Sequence, residues 1–287
     1  MLSIYWDPNP EIFTVPFLNF PILWYGVFFA LGFWFSFLIV VRILVRYFSL
    51  VPAYKTHDAV DLKRRAHSLV DRLTVYIVIG TILGARLGHF LFYEQPSDYL
   101  SDPLEFFRFR NGGLASHGAI IGIIAATLLF SHRIKKIYPD LTWVRILDFI
   151  AVPTALAGAC IRIGNFFNQE ILGTPTNLPW AVVFGHPADR SLPLPRHPVQ
   201  LYEALWYLAV FVLLWRLSRK PSFLLKKGKL VGLFLILVFA FRFFIEFLKT
   251  EQSHLLTESL LTMGQILSIP VILLGFLFYF HNRALKR

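Results

Sequence analysis

The chain has 287 residues, 56% of them hydrophobic and 17% aromatic, with only 16% charged and a formal net charge of +11. So much apolar sequence exceeds what a single globular core needs, which excludes an ordinary water-soluble domain and points to a membrane protein. The basic excess then reads as a topology signal and a contact surface for anionic membrane lipids, and not as a nucleic-acid footprint.

From the N-terminus, Trp6, Asp7, Pro8 and Pro10 interrupt any apolar run and no basic region precedes one, so no cleaved signal peptide is expected before Pro21. Stretches long enough to cross a bilayer, roughly 20 predominantly apolar residues, are predicted at 22–41, 70–92, 113–131, 146–167, 199–215, 230–248 and 260–280. Ile22 to Val41 and Leu260 to Phe280 are apolar on every face, as a span and not an amphipathic surface helix would be. Open sheets leave unpaired edges in lipid. The expected fold is an all-α integral membrane protein with seven transmembrane helices, forming one polytopic domain over 1–287 without internal repeats.

Lysine and arginine orient these spans, because positive residues are retained on the cytoplasmic side of short loops. Segments 42–72, 132–145, 216–229 and the C-terminal tail together hold twenty of the 28 basic residues; the opposite side holds five, Arg108, Arg110, Arg190, Arg196 and Lys249. The N-terminus is therefore expected outside and the C-terminus in the cytoplasm. The remaining three, Arg86, Arg162 and Arg242, fall inside predicted spans.

Two longer outer segments, 93–112 and 168–198, are expected to rim or cover a site, the second carrying Pro175, Pro179, Pro187, Pro193, Pro195 and Pro198. Gly80, Gly84 and Gly88 on span two and Gly118 and Gly122 on span three form small-residue ridges for close helix packing. The lone Cys160 has no partner for an intramolecular disulfide and reads as a small packing residue.

Polar residues inside the spans carry the functional signal. Tyr25 opens span one, Arg86 and His89 lie in the outer part of span two, and His117 begins span three; Arg162, Asn165 and Asn168 end span four. Gln200 and Glu203 share a face at the start of span five, and Arg242 and Glu246, four apart on span six, could pair. Ionisable groups in a membrane are costly and mark function. Three guanidiniums in excess of nearby carboxylates suggest that an anion completes the site, and arginine's planar fork fits a phosphate, which in this layer belongs to lipid headgroups. His117, in Gly112-Gly113-Leu114-Ala115-Ser116-His117-Gly118, is a candidate general base near neutral pH or a histidine bonded to a neighbouring helix.

Other chemistries find little support. There is no HExxH motif, no metal-ligand spacing and no P-loop, and span seven has no lysine for a retinal Schiff base. Ser116 and His117 are adjacent and point about 100° apart on a helix, which does not make a serine-protease pair. A lipid-headgroup transporter or flippase remains an alternative, although such proteins often show repeats and helices broken at mid-membrane.

The residues also carry a family resemblance. WYG at Trp24 to Gly26, GARLG at Gly84 to Gly88, GGLASHG at Gly112 to Gly118, RIGNFFNQEILG at Arg162 to Gly173, HPVQLYE at His197 to Glu203 and RFFIEF at Arg242 to Phe247 resemble, in sequence and order, the prolipoprotein diacylglyceryl transferase family. That resemblance implies a bacterial inner-membrane enzyme, active toward the outer face, that moves a diacylglyceryl group from phosphatidylglycerol to the lipobox cysteine of a prolipoprotein signal peptide. It places the family's functional positions on Tyr25, His117, Arg162, Asn165, Glu170, Gly173, Arg242 and Glu246, with Arg162 as headgroup contact. Arg86 and Glu203 join the substrate-binding set from the reading of buried charge. In the implied reaction His117 is the base, Arg162 and Arg242 stabilise the leaving phosphate, Asn165 and Tyr25 orient the headgroup, Glu203 and Glu246 hold arginines, and no metal or organic cofactor is required.

The chain departs from the family pattern at four places. Ala119 follows the His-Gly pair where a second glycine is frequent, and Ile161 stands before the RxGNF arginine where glycine is frequent. Val238 and Phe239 occupy the place of a common Tyr-Gly pair, and Lys249-Thr250-Glu251-Gln252 replaces an Arg followed by Pro-Asp.

Overall fold

The computed structural model describes residues 3–17, 19–54, 57–93, 106, 113, 115–250 and 261–284. Among them are seven helices long and apolar enough to cross a membrane: α1 Trp24–Leu50, α2 Ala59–Tyr93, α3 Ser116–Ile134, α4 Trp143–Phe167, α5 Val199–Ser218, α6 Lys229–Ile245 and α7 Met263–Ala284. The chain divides into two compact units, one of Met1–Leu50 with Asp148–Arg287 and one of Val51–Leu147.

Several helices outrun the predicted spans, and in α2 a polar cap accounts for the extension. α2 begins at Ala59, where the Asp58 carboxylate accepts from the Asp61 backbone N–H at 2.6 Å and Asp61 pairs with Arg65 at 2.8 Å one turn on. Hydropathy alone finds only the apolar part of such a helix. α1, 27 residues long, spans about 40 Å at 1.5 Å per residue, more than the hydrocarbon layer requires.

In the unit of Val51–Leu147, α2 and α3 meet along the predicted glycine ridges. A Cβ on Gly84 would lie 2.8 Å from the Gly122 Cα, and one on Gly88 2.7 Å from the Gly118 Cα, so only bare backbone allows the approach.

In the other unit, α6 and α7 make a comparable contact through Gly232 and Gly275, a pair too distant in sequence to show as a ridge. The turn into α6 is held by the buried Asp148, whose oxygens accept from the backbone N–H groups of Gly228, Leu230 and Val231 at 2.6 to 3.0 Å. These are donors that a helix start leaves orphaned. Cys160 lies in the α1–α4 contact, 3.6 Å from where a Gly32 Cβ would be, in keeping with its packing role.

This unit also contains short strands that the hydropathy pattern does not anticipate. β1 Ile4–Trp6 pairs in parallel with β4 Val182–Phe184, which pairs antiparallel with β5 Pro195–Arg196; β2 Glu11–Val15 and β3 Phe20–Leu23 form an antiparallel hairpin leading directly into α1. With two to five residues each, they are too short to show an alternating pattern. The segment 168–198, predicted as a proline-rich rim or cover of a site, contributes two strands around a small core of Phe166, Leu172, Val182 and Phe184. Trp6 packs against that core and donates its indole N–H to the Phe166 carbonyl at 3.1 Å. The segment 93–112 lies outside the described residues apart from Tyr93 and Phe106.

Candidate active site

The unit built from α1 and α4 to α7 gathers most of the sequence-selected residues. Arg162 comes from the last turns of α4, where it is 9% exposed, and its Nε lies 3.1 Å from Oε2 of Glu203 on α5, which is fully buried. The Arg162 N–H is not aimed at that oxygen, so the contact is an ion pair without a hydrogen bond. Arg162 Nη1 donates to Asn165 Oδ1 at 3.3 Å, Asn165 Nδ2 donates to one Glu170 oxygen at 3.3 Å, and Asn168 Nδ2 donates to the other. Gln200 Nε2 donates to the Glu170 backbone carbonyl at 2.7 Å. The turn carrying Glu170 is tight: Gln169 and Ile171 have φ of 53° and 57°, a region that costs non-glycine residues energy and is found where surrounding contacts enforce it.

Tyr25, at the start of α1, lays its ring on Gly164; a Cβ there would come 2.9 Å from the ring. Its phenol feels the charges of Glu170 and Arg162. Gly164 is thus the reason α1 can bring a tyrosine to the arginine.

Two residues that the sequence reading does not select complete the group. Lys249, noted there as an outer-loop charge and as a departure from the family's Arg, places Nζ 3.0 Å from Glu203 Oε1 and 3.4 Å from Glu246 Oε2, with its side chain only 8% exposed. Burial pushes its ammonium below the ordinary lysine value while Glu203 pulls it back up. Tyr207, one turn after Glu203 on α5, is buried and donates weakly to Glu203 Oε1 at 3.5 Å, within the fields of both Arg162 and Arg242. Lys249 follows the helix end, where hydropathy cannot distinguish it from a solvated charge. Tyr207 lies at i+4 from Glu203, the one signal that marks it in sequence.

The backbone explains why Lys249 points inward. Gly173 and Lys249 form an isolated antiparallel bridge, flanked by Thr174 N–H to Leu248 O at 2.8 Å and Thr250 N–H to Leu172 O at 3.0 Å. Arg196, buried, adds donations to the Gly173 carbonyl and Thr250 Oγ1, both at 3.2 Å. Gly173 itself has no room for a side chain, since a Cβ would lie 2.7 Å from that of His197. The structure therefore gives Gly173 a packing reason independent of any ligand.

Glu246 sits in a 3-10 turn that continues α6, and its carboxylate rests against Gly264 at the start of α7, where a Cβ would come within 2.5 Å of the carboxylate carbon. Among the described residues no ion pair joins Arg242 to Glu246, although they are four apart; the cation beside the Glu246 carboxylate is Lys249. Arg242 is half-buried and has no ion pair among the described residues. The anticipated surplus of guanidiniums is also altered: Glu203, Glu246 and Glu170 accompany Arg162, Lys249 and Arg242, and among the described residues Arg242 is the cation without a carboxylate partner.

The remaining sequence-selected residues belong to the unit of Val51–Leu147. Arg86, 1% exposed, donates from Nε to the Phe106 carbonyl at 2.9 Å and from Nη1 to the Gly113 carbonyl at 3.1 Å, with its guanidinium 4.9 Å above the Phe90 ring. Those bonds make it an anchor for backbone. Gly113, at φ 78°, has Arg86 and His89 where a Cβ would go. His117 is exposed in the first turn of α3.

Seven apolar helices and a buried cluster of arginine, lysine, glutamate and amide side chains at helix ends define a polytopic membrane protein with a charged cluster of the kind that marks function inside a membrane. Residues 10–281 match the family model of the prolipoprotein diacylglyceryl transferases, and the chain belongs to that family. It is 38% identical to a phosphatidylglycerol–prolipoprotein diacylglyceryl transferase of Protochlamydia amoebophila, covering 95% of this chain and 93% of the relative. The enzyme of the same name from Tolumonas auensis is 41% identical, with 95% of each chain covered, and that of Porphyromonas gingivalis 42%, covering 95% of this chain and 92% of the relative.

Proposed function

We propose that this protein transfers the diacylglyceryl group of phosphatidylglycerol to the thiol of the lipobox cysteine in a prolipoprotein signal peptide. The observation that carries the reading is Arg162, buried and braced by Glu203 and Asn165 in the same polar cluster as Arg242. In the reaction a cysteine thiolate attacks the terminal glycerol carbon of the diacylglyceryl group. A C–S bond forms, the C–O bond to phosphate breaks, and glycerol phosphate leaves with the extra negative charge.

The residues divide the work as follows. Arg242 and the outward part of Arg162 receive the phosphate and stabilise the charge that grows on it as the C–O bond opens, without having to reorganise. Asn165 and Tyr25 orient the headgroup, Glu170 holds Asn165, and Glu203, Glu246 and Lys249 hold the arginines' surroundings. His117 takes the thiol proton, since the thiolate is the competent nucleophile. Arg86 supports the backbone before α3 on which His117 is carried. The chain is a multi-pass protein of the bacterial cytoplasmic membrane, with segment 168–198 bordering the site. Its N-terminus and active site face outward and its C-terminus the cytoplasm, on the distribution of lysine and arginine.

The test uses purified protein, phosphatidylglycerol and a synthetic lipobox peptide. Transfer gives a diacylglyceryl mass increase on the cysteine together with free glycerol phosphate, both lost in Arg162→Ala while helix content and melting are retained. Tight lipid binding with neither product would replace this reading with a lipid transporter.

A further inference from the structure

The hairpin of β2 and β3 exposes its apolar side chains. Phe17 at its tip is 99% exposed, Phe13 56%, Phe20 48%, Leu23 39% and Ile12 37%. The pairing register sets Phe13 opposite Ile22 and Val15 opposite Phe20, so these four side chains make one face aromatic and aliphatic, with Glu11 paired to Leu23 only at the open end. A lone two-stranded ribbon with such a face has too little burial to be stable in water, and an exposed apolar patch of this kind marks a contact.

Its neighbour in the chain identifies the contact. β3 ends at Leu23 and the membrane span α1 starts at Trp24 with no linker. No charged residue occurs between Glu11, at the outer end of β2, and Arg42, so the rest of the hairpin and the span form one uncharged stretch. Trp24 marks the junction: its backbone N–H donates to the Pro10 carbonyl at 3.1 Å and its indole stacks on Phe167 with centroids 5.0 Å apart. Tryptophan at such a junction is characteristic of the headgroup level of a bilayer.

We propose that residues 10–23 form an interfacial lipid anchor, a β-hairpin whose aromatic face and Phe17 tip are immersed in the lipid layer at the N-terminal end of α1. Because Trp24 and Tyr25 follow directly, the anchor sets the depth of Tyr25 against the headgroups. Its partner is the phospholipid surface itself.

The test is a depth measurement on the full chain in vesicles of phosphatidylglycerol and phosphatidylcholine. In a Cys160→Ala background, nitroxide labels are placed by Phe17→Cys, Phe13→Cys and, as a water-facing reference on the exposed Ala188, Ala188→Cys. Power saturation is read with oxygen, which partitions into lipid, and with a water-soluble nickel chelate. Labels at 17 and 13 are expected to meet oxygen several-fold more than nickel, and the label at 188 the reverse. Nickel accessibility at 17 and 13 equal to that at 188 would overturn the anchor. Transfer activity is not read, so the outcome is independent of the proposed reaction.

Discussion

Glu203 and Lys249 are 46 positions apart, yet the lysine Nζ lies 3.0 Å from one oxygen of a fully buried carboxylate whose other oxygen faces Arg162 at 3.1 Å. One anion thus serves two cations. Removing it leaves the buried Arg162 without its carboxylate partner and Lys249 with Glu246 alone at 3.4 Å, which is more costly than never having had the pair.

Glu203→Gln is therefore expected to lower stability by about 3 kcal/mol, the scale for breaking a buried ion pair from one side. Thermal unfolding in detergent measures the loss, and transfer should fall together with the melting temperature.

Lys249→Met should retain the helices but release Glu246 and unbalance Glu203, lowering kcat/KM by about 10- to 100-fold, the scale of a charged hydrogen-bonding partner. Lys249→Arg can make the same bridge and should stay within about 3-fold, because the guanidinium reaches the same carboxylates. Equal losses in both variants would show that the bridge matters only for packing.

Tyr207→Phe removes one hydroxyl from a buried charged group and should reduce kcat by about 10-fold, in the range of a hydrogen bond to an ion. Trp206, its neighbour, donates to the Leu237 carbonyl at 3.0 Å, so α5 and α6 lie at the same level where Val238 replaces the usual tyrosine. Steady-state assays of Tyr207→Phe with and without Val238→Tyr check whether a phenol from either helix restores the rate.

His117→Gln should lose rate by about 100-fold or more at neutral pH while phosphatidylglycerol binding is kept, the scale of general-base catalysis. A wild-type rate in this variant would remove His117 from the mechanism.

The N-terminal strand should loosen in acid. Asp7 accepts from His186 at 2.6 Å and Gln169 at 3.1 Å, and these bonds hold its carboxyl below the ordinary value, His186 first. A carboxylate lowered on folding stabilises fully above its unfolded value and loses that contribution as pH falls through the native one. Hydrogen exchange of the Ile4 and Gly185 amides, which bond to Ala181 and Trp6 carbonyls, should accelerate below pH ~4, and Asp7→Asn should remove that pH dependence.

Much of the architecture was legible in sequence because a bilayer imposes a uniform rule. Each span must be long, apolar and internally hydrogen-bonded, so Ile22 to Val41 or Leu260 to Phe280 identify themselves without reference to neighbours. The glycine ridges of α2 and α3 were equally local, since four-residue spacing encodes one helix face. Arg162, Asn165 and Glu203 could be selected because a charge or amide inside a span has to be explained. The small strands, by contrast, pair residues as distant as Ile4 and Val182, and no local pattern of three residues predicts such a partner.

The sequence by itself determined the class of protein, the number of spans, the family and the residues that bear charge where charge is costly. Only the tertiary structure decided who meets whom. It turned Glu246 from Arg242 to Lys249, placed Tyr207 beside Glu203, engaged Arg86 with backbone carbonyls, and gave Gly173 a steric reason. The physical reason is that burial cost attaches to a single residue and can be read from its context in the chain, whereas an ion pair or close approach belongs to two residues and depends on how separate helices are brought together.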